Sequence, residues 1–75
     1  MRYMIKTENM SCGHCEAAVE AALMRVAGVS DAEADSVSNI VEVDCERAIA
    51  ADELKAAIES AGDYRMISVR PVTRS

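Results

Sequence analysis

Two stretches of helical periodicity, separated and flanked by strand-like segments, constrain this chain more than any other feature. Ala18, Val19, Ala22, Leu23 and Val26 recur at the three- and four-residue steps that line one face of a helix, with Glu16, Glu20 and Arg25 off that face. Alanine is the best helix former and fills much of the stretch, so a helix is expected over residues 15–26. Gly28 stands where a helix exit favours a residue free to take positive φ. Leu54, Ala57, Ile58 and Ala61 repeat the spacing, and a second helix is expected over residues 50–61. Asp52 and Glu53 suit its positive end, and Gly62 suits its exit.

The segments around these helices alternate instead. Residues 2–7 place Tyr3, Ile5 and Thr7 on one face of a strand. Residues 29–35 alternate Val29, Asp31, Glu33 and Asp35 with small residues, a weaker strand, and residues 36–39 supply a turn. Residues 40–43 read as the best strand in the chain, with Val41 and Val43 facing inward. A last short strand over residues 67–72 contains Pro71, which only an edge or a strand end tolerates, and a polar tail follows at 73–75. Strand, helix, strand, strand, helix, strand is an α+β order. It predicts a ferredoxin-like βαββαβ sandwich, a four-stranded antiparallel sheet with both helices on one face. With no linker and no low-complexity tract, residues 1–75 are expected to form a single domain.

Composition narrows the function classes. The chain is 51% hydrophobic but only 3% Phe, Trp and Tyr, represented by Tyr3 and Tyr64 alone, so the core must be built from Ala, Val, Ile, Leu and Met. Such a thin core leaves little room for a substrate cavity of about 300–1,000 Å³, which argues against an enzyme. The net charge is −5, the basic residues are scattered singly, and Phe and Trp are absent. The chain thus lacks both a phosphate-tracking surface and a base-stacking platform, which argues against nucleic acid as a partner. An acidic surface favours partners with a positive docking face. No hydrophobic run approaches the roughly 20 residues needed to cross a bilayer, so no membrane insertion is expected. Residues 1–10 lack the apolar stretch of a secretory signal, and a chain beginning at Met1 reads as a complete cytoplasmic protein. Three cysteines, an odd count, fit a reducing compartment better than a disulfide framework.

The chemistry concentrates at Cys12 and Cys15, a Cys-x-x-Cys pair where a polar loop becomes a helix. Residues three apart at a helix start face the same way, with Cβ atoms roughly 5–6 Å apart, close enough for both sulfurs to hold one ion. The helix N-terminus favours thiolate over thiol, and soft sulfur donors select Cu(I), Zn(II) or similar ions over Mg or Ca. A closed zinc site takes four ligands. No second Cys-x-x-Cys exists, and Cys45, at the end of the third strand, falls at the opposite end of the expected sheet. A two-sulfur site of this kind suits Cu(I) and suits release. His14, between the cysteines, is either a third ligand, since imidazole also binds copper, or a solvent-facing side chain. Cys45 is expected as a small edge residue or an exposed thiol, and Glu16 and Glu20 as an exposed charged helix face that could also shape a docking surface.

Asn9-Met10-Ser11-Cys12-Gly13-His14-Cys15 resembles the Gly-Met-x-Cys-x-x-Cys signature of the heavy-metal-associated domain family. The likeness covers nearly the whole chain, including Ala27-Gly28-Val29 after the first helix and Asp52-Glu53-Leu54 opening the second. The family has the same βαββαβ order and includes copper chaperones of bacterial and eukaryotic type, metal-binding domains of copper-transporting P-type ATPases, and periplasmic mercury binders. The resemblance implies that Cys12 and Cys15 are Cu(I) ligands, that Met10 packs buried beneath the metal loop, and that Tyr64 lies in a loop shielding the site. Met10 is more often core than ligand, since a thioether fills irregular gaps, and Tyr64 is equally consistent with simple core packing with its hydroxyl at the rim. Asn9 departs from the family's glycine, although asparagine also adopts positive φ, and Asp63 separates Gly62 from Tyr64 where the family commonly runs Gly-Tyr.

The expected function is therefore a cytoplasmic Cu(I) metallochaperone that passes its ion by thiolate exchange to a copper-transporting P-type ATPase or its metal-binding domain. It is expected to be monomeric when apo, with a metal-bridged homodimer open to it because two sites can pool four sulfurs. Three alternatives share these residues: a carrier or sensor for Zn, Cd or Hg, an isolated ATPase domain, or a dithiol oxidoreductase. Ser11 precedes Cys12 where zinc-selective relatives often carry aspartate, which favours copper. Cys-Gly-His-Cys is also a disulfide-isomerase tetrapeptide, but that fold needs an aromatic before the motif and a facing cis-proline.

Overall fold

The computed structural model describes residues 1–11 and 13–72; Cys12 and the polar tail at 73–75 lie outside them. The elements run β1 (Arg2–Glu8), α1 (Gly13–Met24), β2 (Val29–Asp35), β3 (Ile40–Cys45), α2 (Ala51–Ser60) and β4 (Arg65–Val72). Every strand pair is antiparallel and the sheet order is β2-β3-β1-β4. This is the ferredoxin-like sandwich that the periodicities predict.

An aliphatic seam joins the layers. Ile5 from β1 and Val41 and Val43 from β3 are fully buried against Val19 and Leu23 of α1 and Leu54 and Ile58 of α2. At about 1.5–3 kcal/mol for each fully buried side chain of this size, these contacts dominate the stability of a chain without Phe or Trp. Tyr3, Tyr64, Val26 and Val69 pack half-buried at the margin.

Boundaries shift where local geometry overrides periodicity. The helix expected over 15–26 begins at Gly13 and ends at Met24. The N–H groups of Arg25 and Val26 bond the carbonyls of Ala22 and Leu23, three residues back, and this tightened turn leads into Gly28 at φ +96°. Val26 still packs on the core, but from the turn. The second helix is trimmed to Ala51–Ser60, because Ala50 is extended and has no side chain to cap the helix start.

The strands also differ from simple alternation. β3 continues to Cys45, and β4 starts at Arg65 rather than at residue 67. A register shift between Val29 and Asp31 gives β2 one extra residue against β3, so Val29 and Ala32 both turn toward the core although three positions apart. A second shift pairs Lys6 with Ser68 and Thr7 with Met66, which leaves Ile67 as the extra residue, 54% exposed. Pro71 lies in the edge strand β4, as its missing N–H requires.

The opposite edge is protected by carboxylates. The N–H groups of Ala32, Ala34 and Ser36 donate to Asp31 (3.0 Å), Glu20 (2.8 Å) and Glu16 (2.7 Å). Glu16 and Glu20 are therefore not a merely solvated face of α1. They tie the helix to β2 and occupy amides through which another strand would pair.

Gly28 is the most constrained glycine. A Cβ there would sit 2.7 Å from Cγ of Arg47, whose Nε donates to the Ala27 carbonyl at 3.0 Å. Gly28→Ala is expected to destabilise the fold by about 1–2 kcal/mol through the positive φ alone, and by more if Arg47 is displaced. Urea unfolding measures this, and an unchanged midpoint would refute the assignment of strain to this turn.

Candidate metal centre

The loop between β1 and α1 leaves the sheet after Glu8 and re-enters regular structure at Gly13. Asn9 makes the departure possible by adopting φ 76°. It does so without a glycine, and its side chain contributes as well: Nδ2 donates to the Asp63 carbonyl at 2.9 Å, joining the loop to the segment between α2 and β4.

The next residue is held from the other side. Met10 is 2% exposed, its side chain in the core. Its N–H donates to Oδ1 of Asn39 at 3.0 Å, and its carbonyl accepts from Nδ2 of Asn39 at 3.1 Å. Asn39 ends the turn between β2 and β3 at φ 55°, and its own carbonyl accepts from the backbone N–H (2.8 Å) and the hydroxyl (2.9 Å) of Thr7. Thr7 is 2% exposed, so this hydroxyl bond satisfies a polar group in the core.

Of the expected ligand pair, Cys12 lies outside the described residues and Cys15 sits in the first turn of α1, half-buried against the core cluster. Its position at the N-terminal, partially positive end of a 12-residue helix is the setting that favours a thiolate. His14 is exposed. Tyr64 is half-buried in the segment before β4, where its ring lies against Gly62: a Cβ on that glycine would be 2.9 Å from Cε2. The adjacent Asp63 carbonyl links this segment to the β1–α1 loop through Asn9.

Cys45 belongs elsewhere. Arg2 pairs with Asp44 and Lys6 with Ile40, so β3 ends beside the start of β1. Cys45 exchanges backbone hydrogen bonds with Met1, and the loop follows Glu8 at the far end of the same strand, about 20 Å away at roughly 3.3 Å per residue. The expectation of an exposed thiol is wrong, since Cys45 is 4% exposed in the core. Burial pushes its thiol up from the ordinary range, which keeps it neutral and inert.

Sequence reading missed Asn39, which it placed in an undifferentiated turn. The local signal was present, because asparagine before a strand is a common left-handed residue. Its reach to a loop 29 positions away was not.

Residues 5–63 match the heavy-metal-associated domain. The chain belongs to that family. Among curated relatives, the copper chaperone CopZ of Staphylococcus haemolyticus is 45% identical over 60 residues, spanning 79% of this chain and 88% of the relative. The CopZ of Staphylococcus epidermidis is 43% identical over the same spans. Among solved structures, a CopZ metallochaperone superposes with a TM-score of 0.81 at 35% identity, covering 89% of this chain and 100% of the other. A copper binding domain from HMA7, a P-type ATPase, gives 0.76 at 30% identity, covering 92% and 97%.

In this heavy-metal-associated domain Cys15 and the buried thiol of Cys45 lie at opposite ends of the sheet. Alkylation of the folded apo protein is expected to proceed at least about tenfold more slowly at Cys45 than after unfolding in urea, read by mass spectrometry of the labelled peptides. Equal rates in the two states would contradict its burial.

Proposed function

We propose that this chain is a Cu(I) metallochaperone whose cargo is held by the thiolates of Cys12 and Cys15. The observation that carries this reading is the placement of Cys15 at the start of α1, next to a loop anchored by Asn9 and Asn39, with Cys45 at the other end of the sheet. Relatives named copper chaperone, at 38–45% identity over most of the chain, supply independent support for copper as the cargo. Met10 supports the loop from below, and His14 stays in solvent.

Two sulfurs satisfy Cu(I) but leave it open to attack, and this is what a carrier requires. A thiolate of the recipient adds to the ion, three sulfurs share it briefly, and Cys12 or Cys15 departs. No bond of high barrier breaks, so the protein acts by exposure and docking rather than as a catalyst. The recipient we propose is a copper-transporting P-type ATPase in the same compartment, the cytoplasm. The resemblance to an ATPase copper binding domain supports an exchange between sites of like architecture. Among the described residues no helix is long and apolar enough to cross a membrane.

Titration of the reduced protein with Cu(I) and Zn(II) against competing chelators tests the reading. One Cu(I) per chain is expected, abolished in a Cys12→Ser, Cys15→Ser double variant, with zinc bound far more weakly. Equal zinc affinity would overturn copper as cargo, and copper binding that survives in the double variant would move the site elsewhere.

A further inference from the structure

Asn39 stands outside the metal-binding motif, on a different turn, yet it holds both backbone polar groups of Met10. Its amide orientation is determined by its partners. The Met10 N–H can only donate, so it faces the oxygen; the carbonyls of Met10 and Ser36 can only accept, and each receives Nδ2, both at 3.1 Å. The side chain acts as a peptide group would in a neighbouring strand. The pairing of β1 with β3 ends at Lys6 and Ile40; the Asn39 carbonyl extends it to Thr7 and the Asn39 side chain extends it, past the left-handed Asn9, to Met10.

The consequence reaches the motif. Gly13 is fixed as the first residue of α1, and Met10 is fixed by its buried side chain and by Asn39. Only Ser11 and Cys12 join these two anchors. Release of Met10's backbone would lengthen the connection between fixed points to include Met10 itself, beginning at Asn9. A site whose sulfurs must meet one ion loses affinity when the span that carries one of them becomes freer, because binding then has to order it.

We propose that Asn39 is a positioning residue for the metal loop: through its paired hydrogen bonds to Met10 it pre-organises the Cys12–Cys15 span for Cu(I). This rests on the chaperone reading above. In this role the Asn39 side chain acts on the backbone of Met10.

Two substitutions separate this role from a general contribution to folding. Asn39→Gly keeps the positive φ of the turn and removes the amide altogether. Asn39→Asp keeps an acceptor for the Met10 N–H but sets a carboxylate oxygen against the carbonyls of Met10 and Ser36. In apo protein followed by hydrogen exchange, the Met10 amide is expected to exchange about tenfold faster in Asn39→Gly and to stay protected in Asn39→Asp, with Val41 and Val43 unchanged in both. With Cu(I) bound, both variants are expected to surrender the ion to a chromophoric chelator about tenfold faster than wild type, the scale of one lost intramolecular hydrogen bond. Wild-type extraction rates in both variants, with Cu(I) still dependent on Cys12 and Cys15, would overturn this proposal alone. Cu(I) retained by the Cys12→Ser, Cys15→Ser variant would instead overturn the functional reading on which it stands. Faster exchange at Val41 and Val43 matching that at Met10 would identify a folding role and also overturn it.

Discussion

The contact of Val19 and Leu23 with the β1–β3 surface is the constraint from which the rest follows. It fixes the height and rotation of α1 on the sheet, and so fixes where the first turn of that helix, with Cys15 in it, comes to rest. The seam is aliphatic throughout, a consequence of a chain without Phe or Trp. Side chains of this kind interlock without polar atoms to satisfy, and truncating one of them leaves a void costing about 2–5 kcal/mol in a typical core. A second layer of polar ties then sets the helix against the edge strand, through Glu16 and Glu20, and sets the loop against both neighbouring turns, through Asn9 and Asn39. Apolar packing thus places the end of the sheet that carries the β1–α1 loop and Cys15, and hydrogen bonds refine it.

Much of this was legible before any coordinates. The period of the apolar residues distinguished helix from strand in all six elements, because Val19, Leu23, Leu54 and Ile58 are core residues for the reason that puts them at helical spacing. The antiparallel order followed from the element sequence. The two bulges were not legible, since alternation assumes one residue per step; at Val29–Ala32 and Met66–Val69 an extra residue restores the inward face after three positions. Cys45 was placed at the correct end of the third strand, but its exposure was misjudged, because only the packed fold shows that this strand end turns its last side chain into the core. Glu16 and Glu20 read as solvated charges because the edge amides they satisfy belong to a strand whose position only the fold reveals.

The site divides in the same way. The Cys-x-x-Cys spacing and the helix start were visible in the sequence, as was the capacity of Asn9 to stand in for glycine, which its φ of 76° bears out. Burial of Met10 matched the family resemblance. What no local pattern could display was the clamp across the end of the sheet, where Asn39 and the Asp63 carbonyl approach the loop from distant parts of the chain. The departure at Asp63 therefore has a structural use: this residue supplies the carbonyl that holds Asn9, while Tyr64 packs over Gly62.

Carriage and release both require an ion held by two sulfurs and open to a third. X-ray absorption at the copper edge, on monomeric protein carrying one Cu(I) per chain and free of added thiol, tests this directly. The account predicts two sulfur neighbours and no nitrogen. A coordinated imidazole from His14, or three or four sulfurs about the copper in the monomer, would contradict it.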